Sequence, residues 1–318
     1  MPSESGFSPV PLRSSTTAIL GAGAWGTALS HLIRHNGHPY LLWSRQTDLS
    51  LETIALRSSI IVSAVSMNGV RTTIEALKTI GLPPETIVVS ATKGLDGDTL
   101  KTPSVLWQTA FPQNRVVVLS GPNLSQEIMD GLPAATVAAS EALESAAAVQ
   151  QVFSSDRFRV YTNTDPLGTE LGGTLKNVIA IAVGVCDGLN LGTNAKSALM
   201  TRALTEIIRV GTHLGGQRQT FFGLSGLGDM LATCSSVLSR NYRVGYGLAQ
   251  GRSLSQVLTD LHSTAEGVNT ANVLMRLAEQ EGISIPISLQ VYRLLNGHIT
   301  PQEAVDSLVR RDLKSEGL

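Results

Sequence analysis

Lys176 is a charged residue set in apolar sequence, within Leu-Gly-Gly-Thr-Leu-Lys-Asn-Val-Ile-Ala-Ile-Ala-Val-Gly-Val over residues 171–185. In a helix its stem leans toward Gly173 and Gly172, three and four positions back. Each glycine costs roughly 1 kcal/mol against alanine in a helix interior, so the pair is expected to clear space beside the lysine. An ammonium desolvated there has a lowered pKa and can both donate and accept a proton. Asp229 follows Gly223-Leu224-Ser225-Gly226-Leu227-Gly228 and precedes Met-Leu-Ala-Thr-Cys. Spacing alone leaves it either a helix N-cap or a site carboxylate, with Thr233 one turn later on the same face. Ser239-Arg240-Asn241 sets a planar guanidinium fork beside an amide, a pairing suited to phosphate. Taken alone, that tripeptide would be ordinary solvated surface.

These groups need a scaffold, and the first half of the chain supplies one. Runs over Thr16–Leu20, 39–43, 60–65, 87–91, Val116–Ser120, 136–138 and 158–162 are apolar nearly throughout. Such runs suit strands covered on both faces, as in parallel sheets. Helical segments over 27–36 and 69–80 alternate with them, which argues for a doubly wound α/β fold. Gly21-Ala22-Gly23-Ala24-Trp25-Gly26 joins the first run to the first helix. Its glycines serve a tight turn, the approach of a pyrophosphate, and helix–strand packing, and the helix N-terminus offers free N–H groups to phosphate. Ligands of open α/β sheets bind beyond the carboxyl ends of the strands. The groups there are Ser44-Arg45, Ser66, Thr92-Lys93-Gly94 and Ser120-Gly121-Pro122-Asn123. The second strand ends without the acidic residue that holds an NAD ribose, and Arg45 could take the 2′-phosphate of NADP instead.

After Asp165-Pro166 strand-like runs almost vanish, and helical segments over 167–186, 195–214, 244–250, 253–258, 268–281 and 301–309 take over. The expectation is a flexible leader over 1–15, a Rossmann-like dinucleotide-binding domain over 16–164 and an all-helical substrate and catalytic domain over 165–318. A chain of 318 residues exceeds one ordinary core, which agrees with two domains. With 42% apolar and 15% charged residues and a net charge of −1, the chain is neither disordered nor a basic nucleic-acid binder. Two cysteines are too few for a disulfide framework or a zinc cage, and six histidines form no metal motif, so no metal is expected. The apolar run 178–186 is too short to span a bilayer, and residues 1–16 hold no secretory signal. A cytoplasmic protein without membrane insertion is expected; a homodimer is left open.

Several of these motifs together resemble the bacterial-type NAD(P)-dependent glycerol-3-phosphate dehydrogenases. The carrying segments are ILGAGAWGTALS at 19–30, SATKGL at 90–95, LSGPNLSQEI at 119–128, the long stretch 161–189, GLSGLGDMLATC at 223–234, SRNYRVG at 239–245 and AEGVNT at 265–270. The resemblance implies hydride transfer between NAD(P)H and dihydroxyacetone phosphate, giving sn-glycerol 3-phosphate for phospholipid synthesis. It implies Lys176 as proton acceptor, with Asp229, Lys93 and Thr233 beside it. It places Lys93, Gly121, Asn123, Lys176, Asp229, Ser239, Arg240 and Asn241 at the substrate. Gly21, Gly23, Ala24, Trp25, Gly26, Arg45, Lys93, Ser125, Arg240, Thr264 and Glu266 fall at the cofactor, NADP being favoured over NAD.

Two departures stand out. The stretch from Arg45 to Ile60 is shorter than is usual in that family, and Asn123 stands where the family has a hydroxyl residue. Two other readings compete with the first: a related β-hydroxyacid-type dehydrogenase, whose substrate carboxylate Arg240 could hold, and a non-catalytic NADP sensor. A sensor has no need of Lys176, Asp229 and Arg240 together.

Overall fold

The computed structural model describes residues 16–261 and 264–310. The leader expected over 1–15 and the last residues of the second expected domain lie outside the described residues. Among the described residues, seven strands form one sheet: β1 (Thr16–Leu20), β2 (Tyr40–Trp43), β3 (Ser58–Ser63), β4 (Ile87–Ser90), β5 (Val116–Ser120), β6 (Ala134–Ala139) and β7 (Phe158–Asn163). Six helices flank it: α1 (Ala24–His35), α2 (Leu51–Arg57), α3 (Met67–Ile80), α4 (Pro103–Ala110), α5 (Ser125–Met129) and α6 (Leu143–Phe153). The helical part follows as α7 (Pro166–Gly188), α8 (Gly192–His213), α9 (Asp229–Cys234), α10 (Arg240–Ala249), α11 (Leu254–Leu261), α12 (Glu266–Glu281), α13 (Pro286–Leu295) and α14 (Pro301–Val309).

The strand order is β2-β1-β3-β4-β5-β6-β7. The chain leaves β1 for β2 on one side, then crosses to β3 on the other, so the crevice between β1 and β3 is the topological switch point where such sheets bind ligands. Continuous apolar strands have the reason expected for buried sheets. Along β1, Ile19 packs into the layer holding α1 and α6, while Ala18 and Leu20 pack into the layer holding α3 and α4.

The sheet is not wholly parallel. β6 runs antiparallel to β5, and β7 follows β6 in parallel. The link from Ser120 to Ala134 contains only the five-residue α5 and turns the chain back on the same edge. A parallel return needs a crossover over a sheet face, usually made by a full helix. Helices α2, α4, α5, α6 and α13 have no counterpart in the sequence reading. Four of the five are short or alanine-rich, and α13 begins at Pro286, an N1 proline that ends one pattern and opens another.

α7 is the axis of the helical part, packed by α8, α9, α10, α12 and α13 and touching β5 of the sheet. Its length and composition would suffice to cross a membrane, yet 89% of that window is buried inside the protein, which makes it a core helix. α10 crosses it at backbone contact: a Cβ on Gly184 would collide with Tyr242 O, and one on Gly245 with Ile181 O. That crossing fixes where Ser239, Arg240 and Asn241 lie.

Candidate active site

Lys176 is 6% exposed and Asp229 2%, so the lysine does not reach out to water. The Lys176 ammonium lies 2.9 Å from Asp229 Oδ1 and also donates to Thr233 Oγ1. Thr233 in turn donates to Asp229 Oδ1 at 3.2 Å. Lys93, on the loop after β4, donates from the other side to Asp229 Oδ2 at 2.6 Å and to the Gly121 carbonyl at 3.2 Å. One carboxylate thus holds two ammonium groups, one from each half of the molecule.

The local chain explains the arrangement. Leu224–Gly228 forms a single π turn ahead of α9, and such turns recur at functional sites. Asp229 is the first residue of α9 and caps nothing with its side chain; both oxygens are turned to the lysines. The N-cap reading is thereby set aside. The glycine pair of α7 acts differently from expectation. A Cβ on Gly172 would press on Ser225 O at 2.8 Å, and one on Gly173 would collide with Ser120 Oγ and stand 3.3 Å from Lys93 Cε. The glycines admit the π turn and the sheet's loops rather than the stem of Lys176.

Burial lowers the pKa of Lys176; Asp229 pulls it back up and Lys93 pushes it down again, leaving it at about 8. A lysine poised there can give a proton to an alkoxide or take one from an alcohol near neutrality.

The phosphate-suited tripeptide sits at the start of α10. Ser239 is buried and caps that helix by accepting from Tyr242 N at 3.2 Å. Arg240 is exposed, with Glu266 as a charged neighbour. Asn241 is less free than expected: it donates to Asn177 Oδ1 at 2.9 Å and accepts from Gly267 N at 2.9 Å, leaving one amide N–H. Glu266 opens α12 and accepts from the backbone N–H of Met67 at the start of α3; burial raises its pKa. Thr264 is exposed, on the link ahead of α12.

On the sheet side, the glycine loop sits at the switch point. Gly21 has φ +112°, and a Cβ there would lie 2.7 Å from Ala64 O at the end of β3; one on Gly26 would collide with Gly21 O. Around Gly23 nothing lies within 4 Å of such a Cβ, and this N-cap of α1 makes no side-chain bond. A bare helix N-terminus beside open space fits a dinucleotide's pyrophosphate. Ala24 is exposed there, and Trp25 is anchored by its indole N–H to Ala91 O at 3.1 Å. Arg45 is exposed and makes no ion pair among the described residues; the neighbouring Ser44 and Thr47 close a small turn on each other. Ser125 is half-buried at the start of α5. Asn123 turns its amide to β6, donating to Ala135 O at 3.0 Å and accepting from Thr136 Oγ1 at 2.8 Å. In this conformation it too keeps a single free N–H.

The structure brings further residues to this cluster: Ser120, which the sequence reading placed among the strand ends, and Thr174 and Glu170, which it passed over. Ser120 Oγ is buried against Gly173 without a hydrogen-bond partner among the described residues. Thr174 accepts from Gly94 N at 3.1 Å, and Glu170 is buried against the strand end that leads to Lys93. Only the polarity of Thr174 and Glu170 within an apolar helix could have signalled them. Elsewhere, an apolar cavity of about 660 Å³ between α8 and α14 contains none of these groups. Among the described residues, no three His, Cys, Asp or Glu side chains gather as metal ligands.

Comparison with known proteins converges on one family. The C-terminal part of the NAD-dependent glycerol-3-phosphate dehydrogenases matches residues 165–306, and the N-terminal part matches 16–55 and 47–146. The second match is broken at the stretch that is short after Arg45. The chain is 63% identical to glycerol-3-phosphate dehydrogenase (NAD(P)+) of Acaryochloris marina, covering 95% of this chain and 98% of that one. It is 59% identical to the enzyme of the same name from Synechocystis, covering 94% of each. Its fold resembles the crystal structure of glycerol-3-phosphate dehydrogenase from Coxiella burnetii with a TM-score of 0.89, at 32% identity, over 93% of this chain and 99% of that one.

Proposed function

The chain belongs to the NAD-dependent glycerol-3-phosphate dehydrogenase family, and from that premise we propose how its own residues divide the work. It is an oxidoreductase that interconverts dihydroxyacetone phosphate and sn-glycerol 3-phosphate with NAD(P)H. The bound nicotinamide supplies or removes the hydride at the substrate's central carbon. Everything else falls to the protein. We read 16–164 as the dinucleotide-binding unit and 165–318 as the unit that holds the substrate, both working in the cytoplasm toward phospholipid backbones.

As the ketone is reduced, negative charge grows on its oxygen. Lys176 stabilises that oxygen and delivers its proton; in the reverse direction the neutral amine accepts the proton of the alcohol. Asp229 holds the ammonium in place, and Thr233 fixes the same oxygen of Asp229 from the side. Lys93 adds a second positive charge on the sheet side. Arg240, with the remaining N–H of Asn241 and the hydroxyl of Ser239, takes the substrate phosphate, and Gly121 and Asn123 line the opposite wall. The glycine loop and the N-terminus of α1 hold the cofactor's pyrophosphate. Arg45 attracts the 2′-phosphate, so NADPH is the preferred form.

The observation that carries this assignment is Asp229 placed between two lysines, one buried and poised at about pH 8. The test is oxidation of NADPH with dihydroxyacetone phosphate, with unphosphorylated dihydroxyacetone, and with 2-keto acids. Turnover confined to the phosphorylated ketone is expected. Preference for a 2-keto acid would transfer the site to a hydroxyacid substrate, and Arg240 to a carboxylate.

A further inference from the structure

Among the described residues, Asp165, Glu170 and Glu206 are buried carboxylates that make no ion pair; Asp165 caps its own helix α7, and the two glutamates differ from it. Glu170 is 1% exposed and Glu206 2%, and burial raises the pKa of both. Burying a charged group is unfavourable unless hydrogen bonds satisfy it. Both meet that need in the same way, by capping the N-terminus of a distant helix. Glu206 accepts from Ile287 N at 2.8 Å, Ser288 N at 2.9 Å and the Ser288 hydroxyl at 2.6 Å, all at the start of α13. Glu170 accepts from Ser104 N at 3.0 Å and from the Ser104 hydroxyl, at the start of α4. The N-cap residue of α4, Thr102, makes no side-chain cap bond of its own.

Glu170 differs from Glu206 in one further bond. It accepts from the Ser90 hydroxyl at 2.7 Å, and Ser90 is the last residue of β4. One helical turn along α7, Thr174 accepts from Gly94 N at 3.1 Å. The two residues, four apart on one helix face, therefore bracket the segment Ser90-Ala91-Thr92-Lys93-Gly94 at both ends. Between the brackets, Gly173 leaves the room that Lys93 Cε uses on its way to Asp229.

We propose that Glu170 is a positioning residue: with Thr174 it clamps the 90–94 segment onto α7 and so holds the Lys93 ammonium on Asp229. The proposal rests on the assignment of Lys93 and Asp229 to the reaction. It explains why α7 carries a carboxylate in its buried interior, where a well-packed apolar side chain would be less costly. The clamp joins the sheet to the helix that bears Lys176, so the two lysines keep their separation.

The experiment compares Glu170→Ala, Glu170→Gln, Thr174→Val and Glu206→Ala in the full-length protein. Turnover of dihydroxyacetone phosphate by the unsubstituted protein comes first; its absence would remove the catalytic assignment and leave the clamp to the labelling arm. That arm follows acetylation of Lys93 by acetic anhydride through peptide mass spectrometry, which needs no turnover. For Glu170→Ala, kcat should fall about 10- to 100-fold, the scale of an ångström-sized misplacement. The pH limb assigned to Lys176 should move upward, because Lys93 no longer pushes it down, and Lys93 should acetylate faster. Glutamine keeps an acceptor for Ser90 and Ser104 N, so Glu170→Gln should recover most of the loss. Thr174→Val should shift the limb and the labelling in the same direction by less, and it decides the matter if Glu170→Ala does not fold. Glu206→Ala should lower Tm while leaving limb and labelling unchanged. Wild-type limb and labelling in folded Glu170→Ala, or in Thr174→Val where the alanine variant fails to fold, would overturn the clamp. So would an equal response from Glu206→Ala.

Discussion

On the helical side of the site, Lys176, Asp229 and Thr233 are buried and bonded to one another. On the sheet side, Gly23, Ala24 and Arg45 are exposed, and the N-terminus of α1 has no side-chain cap. On the proposed reading the helical side does chemistry on a small group whose charge changes, so its dipoles and charges must already be fixed when the reaction occurs. On the same reading the sheet side holds the cofactor's phosphate groups, whose charges do not change when the nicotinamide is reduced or oxidised. Backbone N–H groups and one exposed guanidinium suffice for that, and water keeps them solvated until the ligand replaces it. The contrast shows in the glycines as well: Gly173 is closed in by Ser120 and Lys93, whereas Gly23 faces open space.

The largest effect should come from the preorganised side. Lys176→Ala is expected to lower kcat by roughly 10²–10⁴-fold, the range for a positioned acid or base, while NADPH affinity is retained. Near-normal turnover in the folded variant would dissolve the distinction between the two sides. The unsubstituted enzyme adds a sign test. Ketone reduction needs the ammonium, so kcat/KM for dihydroxyacetone phosphate should fall as pH rises through about 8, and oxidation of glycerol 3-phosphate should rise over the same interval. Removing Asp229 by Asp229→Asn takes away the charge that raises the lysine pKa and should move both limbs downward.

Arg45→Ala comes next. It should weaken NADPH binding by ~1.5–3 kcal/mol, the scale of a charged hydrogen bond, and leave NADH nearly unchanged. Equal losses for both cofactors, measured by titration, would move Arg45 to a shared part of the dinucleotide.

The smallest effect is also the most pointed. Gly23 has φ −75° and no neighbour for a Cβ, so Gly23→Ala should leave folding intact and change stability by less than about 1 kcal/mol, the gain through the unfolded chain being offset by alanine's weakness as an N-cap. Both cofactors should nevertheless bind about tenfold more weakly, because the added methyl occupies the approach of the pyrophosphate. A thermal melt and a cofactor titration on the same sample separate the two outcomes. A stability loss above about 2 kcal/mol would mean that the loop is as tightly packed as the helical side.

Much of this architecture is legible in the amino-acid order. The seven strand runs, the glycine loop and the change to helices after Asp165-Pro166 follow from periodicity and turn chemistry, which are local properties. So does the unusual position of Lys176 among apolar residues. The antiparallel β6 was not legible, because its run looks the same in either direction and only the shape of the 121–133 link decides. The hydrogen-bond partners of Asn123 and Asn241 were not legible for a related reason: Ala135 and Thr136 for one, Asn177 and Gly267 for the other, lie elsewhere in the chain.

What the sequence by itself determined is which groups are present and on what kind of element each one rides. A lysine in a buried helix, an aspartate after a glycine run and a lysine at a strand end are matters of composition and spacing. That Asp229 stands between both lysines, and that the pKa of Lys176 settles at about 8, only the tertiary structure decided. Burial and charge–charge distance set that value, and both depend on segments more than 50 residues apart being brought within hydrogen-bonding range. Glu170 shows the same division most sharply. In the sequence it is one polar residue in an apolar helix; in the fold it accepts hydrogen bonds from Ser90 and Ser104, because the packing of α7 against the sheet places their donors around it and excludes water.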